Sequence, residues 1–179
     1  DGDGWRERPD GQPLLLRLAS RGSQADRRLN ELWRKNLAAV GLRMQFEPAT
    51  WGDLLKRSRT GSLMMWGYSW VASTPDGGFF LGIAYGPNAS ESNDSRFALP
   101  AFDRLFERQN VLPDGPEREA LMRQAKNMLV AHMPYKARVH TVTNDLMQPW
   151  VRGFRRHPFM RDLWVYAGVD PHPDRARGS

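Results

Sequence analysis

The chain has no cysteine, so it can hold no disulfide and do no thiol chemistry. It has no apolar run of 18 residues, which excludes an obvious membrane-spanning helix. Lysine is scarce: 4 Lys stand against 22 Arg in 179 residues, for a net charge of +6. The arginines are scattered, with only Arg27-Arg28 and Arg155-Arg156 adjacent. A nucleic-acid surface needs its basic residues gathered on one face, and no run does that here. Catalytic signatures are missing as well. There is no phosphate-binding Gly-x-x-x-x-Gly-Lys loop, no Gly-x-Gly-x-x-Gly and no Gly-x-Ser-x-Gly. His132, His140, His157 and His172 lack metal-ligand spacing. The opening Asp1-Gly2-Asp3-Gly4 resembles the start of a calcium loop. Its later ligand positions, however, fall on Trp5, Pro9 and Gln12. No basic-then-apolar leader opens the chain, which is expected either to lack one or to be cut from something longer.

What is present is an α/β pattern. Residues 14–19 (LLLRLA) read as a strand. Ser23 is placed as an N-cap with Asp26 in the first turn, and Leu29, Leu32, Trp33, Leu37 and Val40 follow at helical spacing up to Gly41. Residues 42–47 alternate as a second strand. Thr50 and Asp53 open a second helix carrying Trp51, Leu54 and Leu55, which ends near Gly61. The order strand, helix, strand, helix, strand points to a parallel sheet with right-handed crossovers.

The third strand belongs to residues 63–80, LMMWGYSWVASTPDGGFF. Its apolar start, Leu63 to Trp66, predicts a strand buried on both faces. Its later part gathers Tyr68, Trp70, Val71, Ser73, Thr74 and Asp76 at the strand's carboxyl end, where open α/β sheets bind ligands. Residues 79–97 read as a long polar loop bearing Asn93. Pro100 and Pro116 each open a helix, the first with Phe102, Leu105, Phe106 and Gln109 on one face. The second carries Leu121, Ala125, Met128, Leu129 and His132 and stops at Pro134. Residues 135–143 (YKARVHTVT) alternate and predict a further strand, with His140 on its polar face. Residues 145–168 are rich in aromatics with weak periodicity, and 171–179 read as a disordered tail.

Several stretches, in this order, resemble the C-terminal part of the family 5 extracellular solute-binding proteins. These are the dipeptide-, oligopeptide- and nickel-binding components of ABC importers. The stretches are DGDGWRERPDGQPLLLRL, LNELWRKNLAAVGLRMQFEPATWGDLLKRSRTGSLMMWGYSW, STPDGGFF, ESNDSRFALPAFDRLFERQ and EREALMRQAKNMLVAHMPYKARVHTV. The resemblance implies one lobe of a type II periplasmic-binding-protein-like fold, a mainly parallel sheet flanked by helices. It implies residues 1–13 as a lead-in loop, 14–149 as the lobe and 150–170 as a segment returning to a first lobe absent from this chain.

The implied activity is binding of a small solute, peptide or other, by closure of two lobes in the periplasm. No catalysis, cofactor or metal is implied. The implied partners are the solute and the importer's membrane permease, with no nucleic acid, and self-association through exposed lobe surface is possible in principle. Tyr68, Trp70, Val71, Ser73, Thr74, Asp76 and Asn93 become candidate ligand contacts, although Asp76 in the family holds a turn. Peptide-binding members place an aspartate soon after the strand-end Trp to hold a peptide's amino group. This chain has Val71-Ala72-Ser73 there. Two other readings remain open from the residues alone: a basic, Trp-rich nucleic-acid-binding domain, and a small α/β enzyme with no recognisable motif.

Overall fold

A computed structural model describes residues 2–67, 69–160 and 162–170. Tyr68, a candidate contact, and the expected tail at 171–179 lie outside the described residues. The chain begins with the βαβαβ order anticipated: β1 (Leu15–Ser20), α1 (Gln24–Ala38), β2 (Arg43–Pro48), α2 (Trp51–Arg59) and β3 (Met65–Trp66). The strands form a parallel sheet in the order β2-β1-β3. Registers run Leu15↔Arg43 to Ser20↔Pro48 on one side of β1, and Leu18↔Met65 to Ala19↔Trp66 on the other. The architecture is α/β, a parallel sheet flanked by helices.

Local chemistry explains the helix starts. Ser23 Oγ accepts the Asp26 amide at 3.1 Å, and Thr50 Oγ1 accepts the Asp53 amide at 3.3 Å. Each cap satisfies an amide that has no partner within the first helical turn. After α1 the backbone turns at Gly41, at φ +76°, where a Cβ would stand 2.7 Å from the Gly4 carbonyl oxygen. Only glycine fits both constraints.

The second half is helical: α3 (Gly78–Gly82), α4 (Pro100–Asn110) and α5 (Pro116–His132). Their core is Leu81, Ala84, Phe102 and Ala125, surrounded by Phe97, Leu99, Leu105, Phe106, Met122, Met128, Leu129 and Tyr135. Helix α5 ends at Met133, which takes the left-handed conformation at φ +47° and donates its amide to the Leu129 carbonyl at 2.8 Å. Pro134 then prevents continuation.

Three expectations are corrected. The third strand has only two residues, and Met64 is half exposed, so it is not buried on both faces. It is a sheet edge, and at Met64 the β1 partner Arg17 donates its amide to sulfur rather than to a carbonyl, at 3.4 Å. The polar loop at 79–97 is not irregular throughout. It opens in α3 and includes a 3-10 turn at Gly86–Asn88, because Leu81 and Ala84 reach the helical core. Residues 135–143 form no strand. Tyr135 is drawn into the core, its hydroxyl donating to the Ile83 carbonyl at 2.7 Å, and residues 136–143 lie exposed with no strand beside them. Alternation gives a strand its two faces but not the neighbouring edge that its backbone groups need. The apolar stripe of α1, at the spacing read from sequence, is only partly covered: Trp33 and Leu37 are half-buried, while Leu29, Leu32 and Val40 are exposed.

Two short strands pair near the end of the described residues. Strand β4 (Val151–Arg152) pairs antiparallel with β5 (Gly168–Val169), and the Asp170 amide reaches the Trp150 carbonyl at 2.8 Å.

Candidate functional site

Three parallel strands point their carboxyl ends the same way, so β1, β2 and β3 deliver Ser20, Pro48 and Trp66 to one edge. The two turns that leave this edge meet there. The Ala49 amide extends the ladder by donating to the Ser20 carbonyl at 3.0 Å. Ser20 Oγ in turn accepts Asn30 Nδ2 at 2.9 Å, which ties the end of β1 to α1.

Aromatic rings build the wall after β3. Trp66 packs on Trp51 of α2 with ring centroids 5.6 Å apart and planes at 40°. Four residues on, Trp70 meets the edge of Phe79 in α3 at 6.0 Å, and Phe79 meets Phe80 at 5.3 Å. Trp66 thus packs on the sheet half and Trp70 on the helical half. After Trp70, Val71, Ser73 and Thr74 are exposed. Arg138 also arrives at this edge: its guanidinium stands 3.1 Å from where a Cβ on Gly67 would be. Gly67 makes room for it.

Asp76 has a structural post. Its Oδ1 accepts the Gly78 amide at 2.8 Å and its Oδ2 accepts Arg118 Nη2 at 2.8 Å. The hydrogen bond from Arg118, helped by the Gly78 amide, holds its carboxyl below the usual value. Arg118, nearly buried, also donates to the Gln109 carbonyl at 3.1 Å and to Asp114 at 2.6 Å. A Cβ on Gly78 would stand 3.0 Å from Gln109 Oε1 and 3.1 Å from Arg118 Nη2, so the cluster closes tightly around that glycine.

Asn93 is fully buried. Its amide nitrogen donates to the Tyr85 and Phe97 carbonyls at 3.0 and 2.9 Å, and its oxygen accepts Ser95 Oγ at 2.9 Å. Both ends of the amide are committed to pinning the loop. Its neighbours continue the clamp: Ser58 Oγ donates to Asp94 at 2.5 Å, and Arg96 donates to the Arg59 carbonyl at 2.6 Å.

Of the candidate contacts, Val71, Ser73 and Thr74 are exposed and Trp70 is half-buried, while Asp76 and Asn93 hydrogen-bond within the chain. The structure adds groups that sequence reasoning did not select. Arg21 and Trp51 line a hollow of about 490 Å³ with Gly22, Pro48, Ala49 and Thr50. The signal was available, since both follow directly on the predicted strands at 14–19 and 42–47. Among the described residues, no cluster of three or more His, Asp or Glu could hold a metal ion.

No family model matches the chain. Over 133 residues it is 29% identical to di/tripeptide-binding protein 2 of Pseudomonas aeruginosa, a match covering 73% of this chain and 25% of that protein. The chain therefore spans about a quarter of the length of that curated relative. Its fold is similar to the Escherichia coli murein tripeptide binding protein MppA, with a TM-score of 0.75 and 22% identity over 94% of this chain and 33% of the other. It is also similar to the periplasmic binding protein DppA of Helicobacter pylori, solved in complex with the peptide STSA. That TM-score is 0.69, at 19% identity over 88% of this chain and 31% of the other. Sequence and fold point the same way: the chain is similar in sequence to di/tripeptide-binding proteins and carries one α/β portion of the fold of periplasmic peptide-binding proteins.

Proposed function

We propose that the chain forms one wall of the binding cleft of a periplasmic substrate-binding protein serving an ABC importer. It holds a small solute, peptide or other, without transforming it. The second wall comes from another lobe, which closes on the solute by a hinge motion, and the membrane permease of the importer receives the closed complex. The observation that carries this reading is the edge beyond β3. There Trp70 is braced on Phe79 while Val71, Ser73 and Thr74 stay open to solvent at the ligand-binding end of a parallel sheet. An aromatic face and short hydroxyl side chains orient a ligand without chemistry. Tyr68 joins this set as a proposal from sequence. Asp76 holds the turn that follows, through the Gly78 amide and Arg118.

Charge narrows the solute. The carboxylate nearest the wall in sequence, Asp76, is held by Arg118 and the Gly78 amide. Two guanidinium groups, Arg21 and Arg138, stand at the same strand ends. A peptide ammonium gains a strong partner only from an available carboxylate. The wall therefore suits neutral or anionic solutes better than cationic ones. Calorimetry with a solute library on the complete gene product tests the reading. Trp70→Ala and Ser73→Ala are expected to weaken any hit. Unchanged binding in both removes the wall from the site.

A further inference from the structure

Helix α1 carries more apolar surface than the sheet covers. At about 100° per residue, Asp26, Asn30, Trp33 and Leu37 fall on one side, and these are its half-buried residues. Ala25, Leu29, Leu32 and Asn36 form the stripe beside it, and all four are exposed, as is Val40 just past the helix end. Leu29 is 39% exposed, Leu32 55% and Val40 51%. The longer α5 exposes a single large apolar side chain, Val130. Isolated exposed apolar residues are ordinary, whereas a stripe aligned along one helix asks for a partner. Its border is basic. Arg28 and Lys35, about two turns apart, flank it on the solvent side and make no ion pair among the described residues. Both acids of α1 lie elsewhere and are occupied. Glu31, on the far side, accepts Arg34 at 2.7 Å, and Asp26, on the sheet side, accepts the Ser23 hydroxyl and lies 3.8 Å from Arg21. An apolar stripe edged by cations fits a negatively charged apolar boundary, which is what an anionic bilayer surface presents.

We propose that α1 is a docking face for an anionic phospholipid bilayer. Leu29 and Leu32, with Val40 at the helix end, enter the headgroup region. Arg28 and Lys35 lie along it, their stems on the apolar boundary and their charges on lipid phosphates. Neither contribution suffices alone. A few side chains bury too little surface to hold the protein on a neutral bilayer, and two exposed charges are screened by salt. Docking is therefore reversible, requires anionic lipid and weakens as salt rises. The face is not the solute wall: α1 leaves the strand-end edge at Gln24 and runs back along the sheet, while the wall follows β3. Lipid docking and solute binding thus use different surfaces.

The test is cosedimentation of the 179-residue chain with vesicles of phosphatidylcholine alone or mixed with phosphatidylglycerol, at low and at high salt. Binding is expected with the mixed vesicles only, and less of it at high salt. Arg28→Gln with Lys35→Gln should weaken it about twentyfold, at about fivefold for each basic residue held near the surface. Leu29→Ser with Leu32→Ser should weaken it about tenfold. Arg123→Gln with Lys126→Gln removes the same charge from exposed positions of α5 and should leave binding nearly unchanged. Because the chain has no cysteine, Asn36→Cys accepts a single environment-sensitive dye while leaving the leucines of the stripe in place. Its emission should shift to the blue when mixed vesicles are added, both in this chain and in the complete gene product. Equal binding to neutral vesicles, no binding to either kind, an α5 pair as costly as the α1 pair, or leucine changes without effect each overturn the proposal. So does a dye that is already blue-shifted before vesicles are added, since protein, from a second copy or from another part of a longer chain, then covers the stripe.

Discussion

The two halves of the chain bury themselves differently. The helical half closes around its own core, with Phe102, Ala84 and Ala125 fully buried. The sheet half buries Ala19, Leu54 and Ser58 but leaves Leu29, Leu32, Trp51 and Met64 with large exposed areas. Among the described residues, links between the halves include Ser58 with Asp94 and Arg96 with the Arg59 carbonyl, while Trp66 packs on Trp51 in the sheet half and Trp70 on Phe79 in the helical half. The contrast separates anchoring from contact. The self-contained half supplies rigid backing, through Phe79 behind Trp70 and Arg118 behind Asp76. The open half presents strand ends and apolar surface.

The sharpest way to break this comparison is to empty the helical core. Phe102→Ala is expected to cost about 3–5 kcal/mol, read as the loss of midpoint in urea unfolding. If it costs less than about 1 kcal/mol, well under the range for a buried large side chain, the helical half is not the anchor.

Next comes the brace behind the wall. Arg118→Ala leaves Asp76 and the Gln109 carbonyl without their shared donor. It should cost about 1–3 kcal/mol, the range for stranding a largely buried hydrogen-bonding group. The same cluster predicts a pH dependence. The Asp76 carboxyl titrates lower when folded than its ordinary value of 3.8. The stability it lends is therefore complete above about pH 4 and is lost as pH falls through the lower folded value. Asp76→Asn should flatten that part of an acid titration followed by circular dichroism. An unaltered acid limb would mean that Asp76 contributes nothing there.

A smaller effect should follow from loosening the tie between the halves. Arg96 holds a left-handed backbone, at φ 54°, while its guanidinium covers the end of α2. Arg96→Gly relieves the first and removes the second, so the net change in unfolding free energy should be within about 1 kcal/mol. Hydrogen exchange at the end of α2 should nevertheless quicken. The smallest expected change is at Leu32, exposed on α1: Leu32→Gln should move the midpoint by no more than about 0.5 kcal/mol. A large loss would show that the stripe of α1 is covered after all.

Some of this was legible in the residues. The helix starts at Ser23 and Thr50, the prolines opening α4 and α5, and the β-α-β-α-β order rest on contacts within a few positions, so they are written in local sequence. The wall residues Trp70, Val71, Ser73 and Thr74 could be chosen because a strand followed by a turn names its own carboxyl end. The hollow at Arg21 and Trp51 was not seen as a unit, since it needs two strand ends, Ser20 and Pro48, 28 residues apart, to be side by side.

By itself, then, the sequence determined the element order, the helix caps and the aromatic character of the edge after β3, because each follows from chemistry between near neighbours. Only the tertiary structure decided which polar groups after β3 stay exposed and which are tied up inside the chain. Asn93 and Asp76 read from sequence as ligand contacts, yet their hydrogen bonds go to Tyr85, Phe97, Gly78 and Arg118. Residues 136–143 have the alternation of a strand and form none, because a ladder requires a second edge that no pattern in one strand can provide.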